Sequence, residues 1–414
     1  MIPSRFSCFS GLLCAALVPA AVLFACATDN GDTVHGPQFG PVPGRPEGGA
    51  DAPMGTGEGG PTPDPDGGGA DANDAAQPVC TSGTIAVLAG TTTAVMGGAQ
   101  INGGAWSGAA ITGGVALSPP SLVALGSGFV GLTRGASDAV QSVTYTASWS
   151  AAIAVGTLTT TTTPALTVVG TKAHAVTLSG AQFDRIENAG TSWTTTGEIV
   201  PPPATATPSA GTLAPAGAEL WFAHTGANNG LYIQKWESTW GTANGVMGAG
   251  TLPTAPPAMA AITGKFDLVL LYADKTAPNV IGYATRDATT KVWGSAQTTH
   301  ALAQTAEPMS IVQISPLVVM ATFRGNNQRP YYMTGALGLN SIGWSSPAQL
   351  LPDNSTVDSP PSVAKGVCGD DAVAVYASAG QVKATRYRGT VWTTPEPIMA
   401  VSGAPVTGLS VATR

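Results

Sequence analysis

Two residue types recur along this chain with a period that few folds can accommodate. Prolines stand at 120, 164, 208, 257, 308, 361 and 405, separated by 44, 44, 49, 51, 53 and 44 residues. Tryptophans stand at 106, 149, 193, 240, 293, 344 and 392, separated by 43, 44, 47, 53, 51 and 48 residues. The two series interleave, and only Trp221 and Trp236 fall outside them. A period of this length marks a chain built from stacked supersecondary units.

The texture inside one unit is β. After Pro361, residues 362–367, 372–376, 382–386 and 391–394 are short alternating or apolar runs, bounded by Gly, Ser and Asp turns. Such runs read as strands, and the repeat region shows no sustained helical period. Four short strands per unit is the size of a propeller blade. The expected fold is therefore all-β, a seven-bladed β-propeller with four-stranded blades. The ends imply closure. Only residues 406–414 follow Pro405, enough for one strand, while the N-terminal side supplies candidates at 84–88, 93–97 and 105–107. The C-terminal strand is expected to join the N-terminal blade, which removes the open sheet edges.

Three segments follow in chain order. Residues 1–25 hold one charge, Arg5, and an apolar run from Gly11 to Ala25. That run is too short for a comfortable transmembrane span and reads as an export signal. It ends Leu23-Phe24-Ala25-Cys26, which resembles the lipobox of bacterial lipoproteins, although Phe24 departs from the small residue usual at its place. The resemblance implies that Cys26 is lipidated. With Ala27 next, it also implies sorting to the outer membrane, the lipid being the only membrane contact. A plain secretory signal or an uncleaved anchor is the alternative.

Residues 26–79 are rich in Gly, Pro and Asp and nearly free of bulky apolar side chains, the composition of a disordered tether. The tether carries nine acids against Arg45. Without these residues and Arg5, the domain from 80 to 414 has 15 acids and 15 Lys or Arg. A neutral, charge-poor domain argues against nucleic acid as a partner. Of five cysteines, Cys8 and Cys14 leave with the signal and Cys26 takes the lipid, so Cys80 and Cys368 form the expected disulfide of an exported chain. Both are expected in strand-connecting turns of adjacent blades. A monomer is expected.

The repeated tryptophans are expected to pack blade against blade, since a large ring at one recurring position buries area at every interface. The sequence shows no phosphate loop, no metal-spaced histidines and no catalytic set, so neither cofactor nor metal is expected. His174 falls in an expected strand and reads as structural. Asn188-Ala-Gly-Thr-Ser-Trp193 is similar to the Asp-box of sialidase propellers, with Asn in place of Asp; Gly103 and Gly389 stand likewise three before a tryptophan. That box is a hairpin device and implies nothing about hydrolysis. The texture around Trp240 and Trp392 resembles the fucose-binding lectin propellers of bacteria and fungi, whose sugar sites combine an Arg, a Glu and an aromatic residue between blades. No such Arg/Glu pair is seen to recur here.

Ligand contacts are expected on the loops from second to third strand. One runs from His224 through Asn228 and Asn229 to Tyr232; the other runs from Arg324 through Asn326, Asn327 and Arg329 to Tyr331. Amides and aromatic faces suit a carbohydrate, and rigid scaffolds present their sites on loops. Asn and Gly are also simply good turn formers. Tyr272 and Tyr376 end the second strands of other blades and are expected to join this face. The expected role is binding of a glycan or protein partner in the cell envelope. A propeller glycosidase or lyase and a structural envelope protein remain as alternatives.

Overall fold

A computed structural model describes Cys80 to Arg414 apart from residues 81, 181, 191, 201–209, 227–229, 243, 246–254, 275–278, 352 and 402–403. The expected export signal, Cys26 and the tether lie outside the described residues.

Seven antiparallel sheets form, each with four strands on its main path. The blades are numbered here from the N-terminus. Blade 1 contains Thr84–Thr91, Val95–Ile101 and Ser107–Ile111, with Val406–Thr413 as its first strand. Thr84 and Arg414 exchange backbone hydrogen bonds at 2.9 and 3.0 Å. Closure by the C-terminal strand is thus as expected. Blades 2 to 7 begin with Ser121–Leu125, Ala165–Val169, Gly211–Ala216, Ala258–Ala261, Ser310–Ser315 and Ser362–Lys365. These six strands and Val406–Thr413 contact one another in sequence around a complete circle. A ring closed in this way leaves no terminal sheet edge.

The first hairpin differs from its expected register. Val95–Ile101 begins two residues later than the composition indicated, because Thr91 Oγ1 accepts from Ala94 N at 2.8 Å and holds the turn at residues 91–94. The outer strand of blade 1 likewise starts after Trp106, at Ser107.

The core is distributed. Seven clusters of buried apolar residues each join two neighbouring blades, and each contains one repeat tryptophan. Trp149 of blade 2 packs with Leu88 and Ile111 of blade 1, and Trp392 of blade 7 packs with Met320 and Leu351 of blade 6. Trp106 closes the circle by joining Val87 and Leu409 of blade 1 to Val373 and Ile398 of blade 7. Strands sandwiched in this way are buried on both faces; all but the last residue of Ala372–Ser378 is buried. Some indoles also bond across the seam: Trp193 Nε1 donates to Ser142 Oγ at 2.9 Å, and Trp106 Nε1 to Glu396 Oε2 at 3.1 Å.

Because strands alternate in direction, two faces can be distinguished. The entry face carries the chain into each first strand and also bears the loops from second to third strand. The opposite face carries the turns from first to second and from third to fourth strand. Cys80 and Cys368 are disulfide-bonded on the opposite face, with Cα atoms 4.8 Å apart and a sequence separation of 288. Gly190, in the hairpin similar to an Asp-box, has φ +113°, and its N–H donates to Asn188 Oδ1 at 2.6 Å. The glycine supplies the turn, as that resemblance implied.

The tightness of the seams generates a prediction. A Cβ on Gly97 would lie 2.5 Å from the Trp149 indole, so the ring of blade 2 fills the space where blade 1 omits a side chain. Gly97→Ala is expected to destabilise the domain by about 1–3 kcal/mol through overpacking. Urea denaturation checks this; an unchanged midpoint would contradict it.

Candidate functional site

The entry-face residues named from sequence separate into two groups. Around Arg324 the structure brings several together. Arg324 pairs with Glu307 at 2.7 Å. Asn327 Nδ2 donates to Tyr331 Oη at 2.8 Å, and Arg329 Nη1 donates to Asn354 Oδ1 at 3.0 Å. Tyr331 stacks on Phe323 with centroids 5.6 Å apart. Asn326 and Asn327 are exposed.

The other group is not a surface. His224 is fully buried and lies between Phe222, Tyr232 and Phe183, with ring centroids 5.2, 5.7 and 5.0 Å away. Tyr232 is half-buried. Asn228 and Asn229 lie outside the described residues. Tyr272 is 3% exposed and Tyr376 1% exposed, which corrects the expectation that they join a ligand face. Both rings belong to inter-blade cores: Tyr272 lies against blade 4 and Tyr376 against blade 6. Burial, with a smaller push from Asp274 and Asp353 respectively, raises both phenols above their ordinary range.

A different set of charged side chains lies at the opposite face. Arg185, Arg286 and Arg386 occupy the third strands of blades 3, 5 and 7, and all three are buried. Each lies at a seam and meets a carboxylate. Arg185 Nη1 is 3.4 Å from Glu187 and 3.0 Å from His174 Nδ1, and its guanidinium lies 4.0 Å from the Trp236 ring of blade 4. His174 is buried, consistent with a structural role. Arg386 donates to Asp370 at 2.9 Å and to Gln100 of blade 1, and lies 3.5 Å from Glu396. A buried Arg with an acid thus stands in three of the seven blades, but among the described residues only Glu219 reaches its arginine from the neighbouring blade, so no Arg/Glu pair repeats from blade to blade. The acids come from different strands and turns, so no fixed spacing marks the pair. The arginines themselves are 101 and 100 residues apart, a two-blade period that was available in the sequence.

Arg286 makes the most elaborate of these seams. Its two Nη atoms each donate at 2.8 Å, one to Asp267 and the other to Glu219 of blade 4, and its guanidinium lies 4.4 Å from the Trp221 ring. Trp221 Nε1 donates to Glu219 Oε2 at 3.0 Å. The two tryptophans outside the repeat series, Trp221 and Trp236, thus both belong to blade 4 and face arginines of the flanking blades. Desolvation of this kind strengthens a cation–π contact to ~2 kcal/mol or more. Beside Arg286 opens a cavity of about 360 Å³ lined by Glu219, Trp221, Lys235, Gly241, Thr242, Arg286 and Lys291. Lys235 bonds Glu219 at 3.2 Å and Lys291 bonds Asp267 at 2.9 Å, so every charge has a fixed partner. Burial works to raise the Glu219 pKa, but hydrogen bonds from Trp221 and Lys235 and the charge of Arg286 outweigh it and hold the carboxyl below 4.5. The result is a pocket of preset donors and acceptors beside an indole, the composition of a ligand site.

A second cavity, about 560 Å³, is the central channel, and all seven first strands line it. Prolines 120, 164, 257, 308 and 361 of the repeat series form part of its wall, together with Glu307, Arg324 and Asp358. Among the described residues no tyrosine or histidine lines it, and Glu307 is engaged by Arg324. No group of three metal-ligating side chains is found among the described residues.

No protein-family model matches the chain, and no curated protein matches it. Among solved structures it is similar to the BP39L lectin of Burkholderia pseudomallei, with a TM-score of 0.63 and 11% identity over 78% of this chain and 97% of that one. It is also similar to the fucose-specific lectin of Aleuria aurantia, with a TM-score of 0.49 and 12% identity over 70% of this chain and 96% of that one. At such identities the first likeness shows the propeller fold alone.

Burial of His224 generates a pH prediction. Desolvation lowers its pKa from 6.5 to about 4, against a smaller opposing contribution from the Thr225 carbonyl. Between those values the unfolded chain binds the extra proton and the folded chain does not. Stability contributed by the neutral ring is therefore full above pH 6.5 and falls as pH drops toward 4, by about 3 kcal/mol. His224→Phe should remove that part of the slope in a pH series of urea unfolding curves; an unaltered slope would contradict the assignment.

Proposed function

We propose that this protein is a carbohydrate-binding propeller whose main sugar contact is the pocket between blades 4 and 5. The observation that carries the reading is the convergence of Trp221, Glu219, Lys235 and Lys291 on one cavity, with Arg286 fixing the indole and the carboxylate from behind. Sugar hydroxyls need both donors and acceptors, which Glu219, Lys235 and Lys291 supply at the cavity wall, while the buried Trp221 indole backs the carboxylate. The similar protein named as the BP39L lectin supports the reading at the level of architecture. The exposed amides of Asn326 and Asn327 favour a second contact surface on the entry face, where Arg329 and Tyr331 are held by Asn354 and Asn327.

A glycan array probed with the full chain tests this. Saturable binding is expected that weakens about tenfold or more in a Lys235→Ala/Lys291→Ala variant, on the order of one lost charge-assisted contact. Binding lost instead in Asn327→Ala would transfer the site to the entry face. No glycan bound would leave a protein partner or a structural role.

We further propose that the domain is held at the outer membrane by lipid on Cys26. The apolar run before Leu23-Phe24-Ala25-Cys26 and the acidic, Gly- and Pro-rich segment that follows support this. Cys26→Ala is expected to release the protein from membranes, and mass spectrometry of the mature N-terminus is expected to show acyl chains. A plain N-terminus would overturn the proposal.

A further inference from the structure

Most of the wall of the central channel is uncharged, made of proline rings, serine and threonine hydroxyls and aliphatic side chains. Among the described residues three charged side chains reach it, and they come from neighbouring positions on one arc. Glu307 stands in the link entering blade 6, Arg324 ends the second strand of that blade, and Asp358 stands in the link entering blade 7. Two acids and one base leave this arc with a formal charge of −1.

The internal pairing of the arc is incomplete. Arg324 Nη1 donates to Glu307 Oε1 at 2.7 Å, but Glu307 Oε2 is buried without a hydrogen-bond partner, and so is Arg324 Nε. Asp358 is exposed at the same arc. A carboxylate oxygen taken from water without a donor is costly, and the cost falls when a ligand supplies one. With this arc included, the described residues of the entry face hold six acids, Asp138, Asp184, Asp274, Glu307, Asp353 and Asp358, against four bases, Arg134, Arg324, Arg329 and Lys383. Lining of one prevailing sign within low-dielectric walls concentrates the opposite charge.

We propose that the central channel is a binding site for a slender organic amine. Its ammonium group sits against Glu307 and Asp358, and its alkyl body runs along the prolines and past Met259 and Met309, both of which line the cavity. A metal ion is disfavoured because three converging ligands are not found among the described residues. An anion is disfavoured because two carboxylates stand on this arc against one arginine, which leaves its formal charge at −1 even with the Arg324–Glu307 pair made. The site is separate from the pocket between blades 4 and 5 and does not depend on the glycan reading.

The test is methionine-methyl NMR of the full chain, titrated with hexane-1,6-diamine and, separately, with hexane-1,6-diol. Saturable shifts are expected at Met259 and Met309 with the diamine. Met320 and Met333, buried in blade 6 away from the channel lining, should stay still. Glu307→Gln is expected to weaken the diamine by about tenfold, Asp358→Asn by about threefold, and added salt should weaken it further. If Glu307→Gln loses its Met320 and Met333 signals and so fails to fold, Asp358→Asn and the salt series decide. The proposal is overturned if Met259 and Met309 do not respond up to about 10 mM diamine, a weak-binding limit. It is equally overturned if the diol shifts them as much, or if neither a folded variant nor salt changes the affinity.

Discussion

The seam between neighbouring blades is the interaction on which the rest of this molecule depends. Among the described residues no blade has a core of its own: each of the seven apolar clusters draws on two blades, and each takes one repeat tryptophan from the blade that follows around the ring. Burying an indole at each seam supplies a large contact area per repeat. Stability then accumulates by nearest-neighbour contacts around the ring, as in other repeat architectures. An open row of blades would leave two such faces exposed. The C-terminal strand removes them by completing blade 1, so that Leu409 and Val411 join Val373 and Val375 in one cluster. Cys80–Cys368 ties the same two blades covalently. Constraint by a disulfide over so long a loop acts largely on the unfolded chain.

The same seams hold the polar chemistry. A guanidinium inserted between sheets is desolvated and costly unless every donor is matched. Arg286 meets this condition with Asp267, Glu219, the Lys291 carbonyl and the Trp221 face. Having spent its donors internally, it presents no direct contact to a ligand. Its effect is to fix Glu219 and Trp221, leaving Lys235 and Lys291 at the pocket edge. Position rather than direct bonding is thus what a buried arginine contributes here, in line with the need for supported side chains at binding sites.

The sequence was most legible where one residue type marks one structural place. Proline precedes the first strand of a blade and tryptophan seals the seam, so their interleaved periods revealed blade number, strand count and closure. The site was less legible for two physical reasons. Strands buried on both faces lose the alternation that separates inward from outward residues, and this is why His224, Tyr272 and Tyr376 read as surface groups. Arg185, Arg286 and Arg386 keep a two-blade period, but Glu187, Glu219, Asp370 and Glu396 reach them from unrelated positions. A search for a repeating Arg/Glu pair therefore found none. Trp221 and Trp236 were visible as exceptions to the repeat, and their place against the arginines explains the exception.

Hydrogen exchange of the closing strand, followed by mass spectrometry on the native full chain, tests the closed-ring account most directly. Val406–Thr413 pairs with Thr84–Thr91, with one irregularity at Thr407, and packs between the first strands of blades 2 and 7. If the ring is closed and cooperative, peptides covering 406–413 should be protected as long as those covering the first strands Ala165–Val169 and Ser310–Ser315, and should open together with them. Early exchange of 406–413 while the other first strands remain protected would show an open ring and contradict the account.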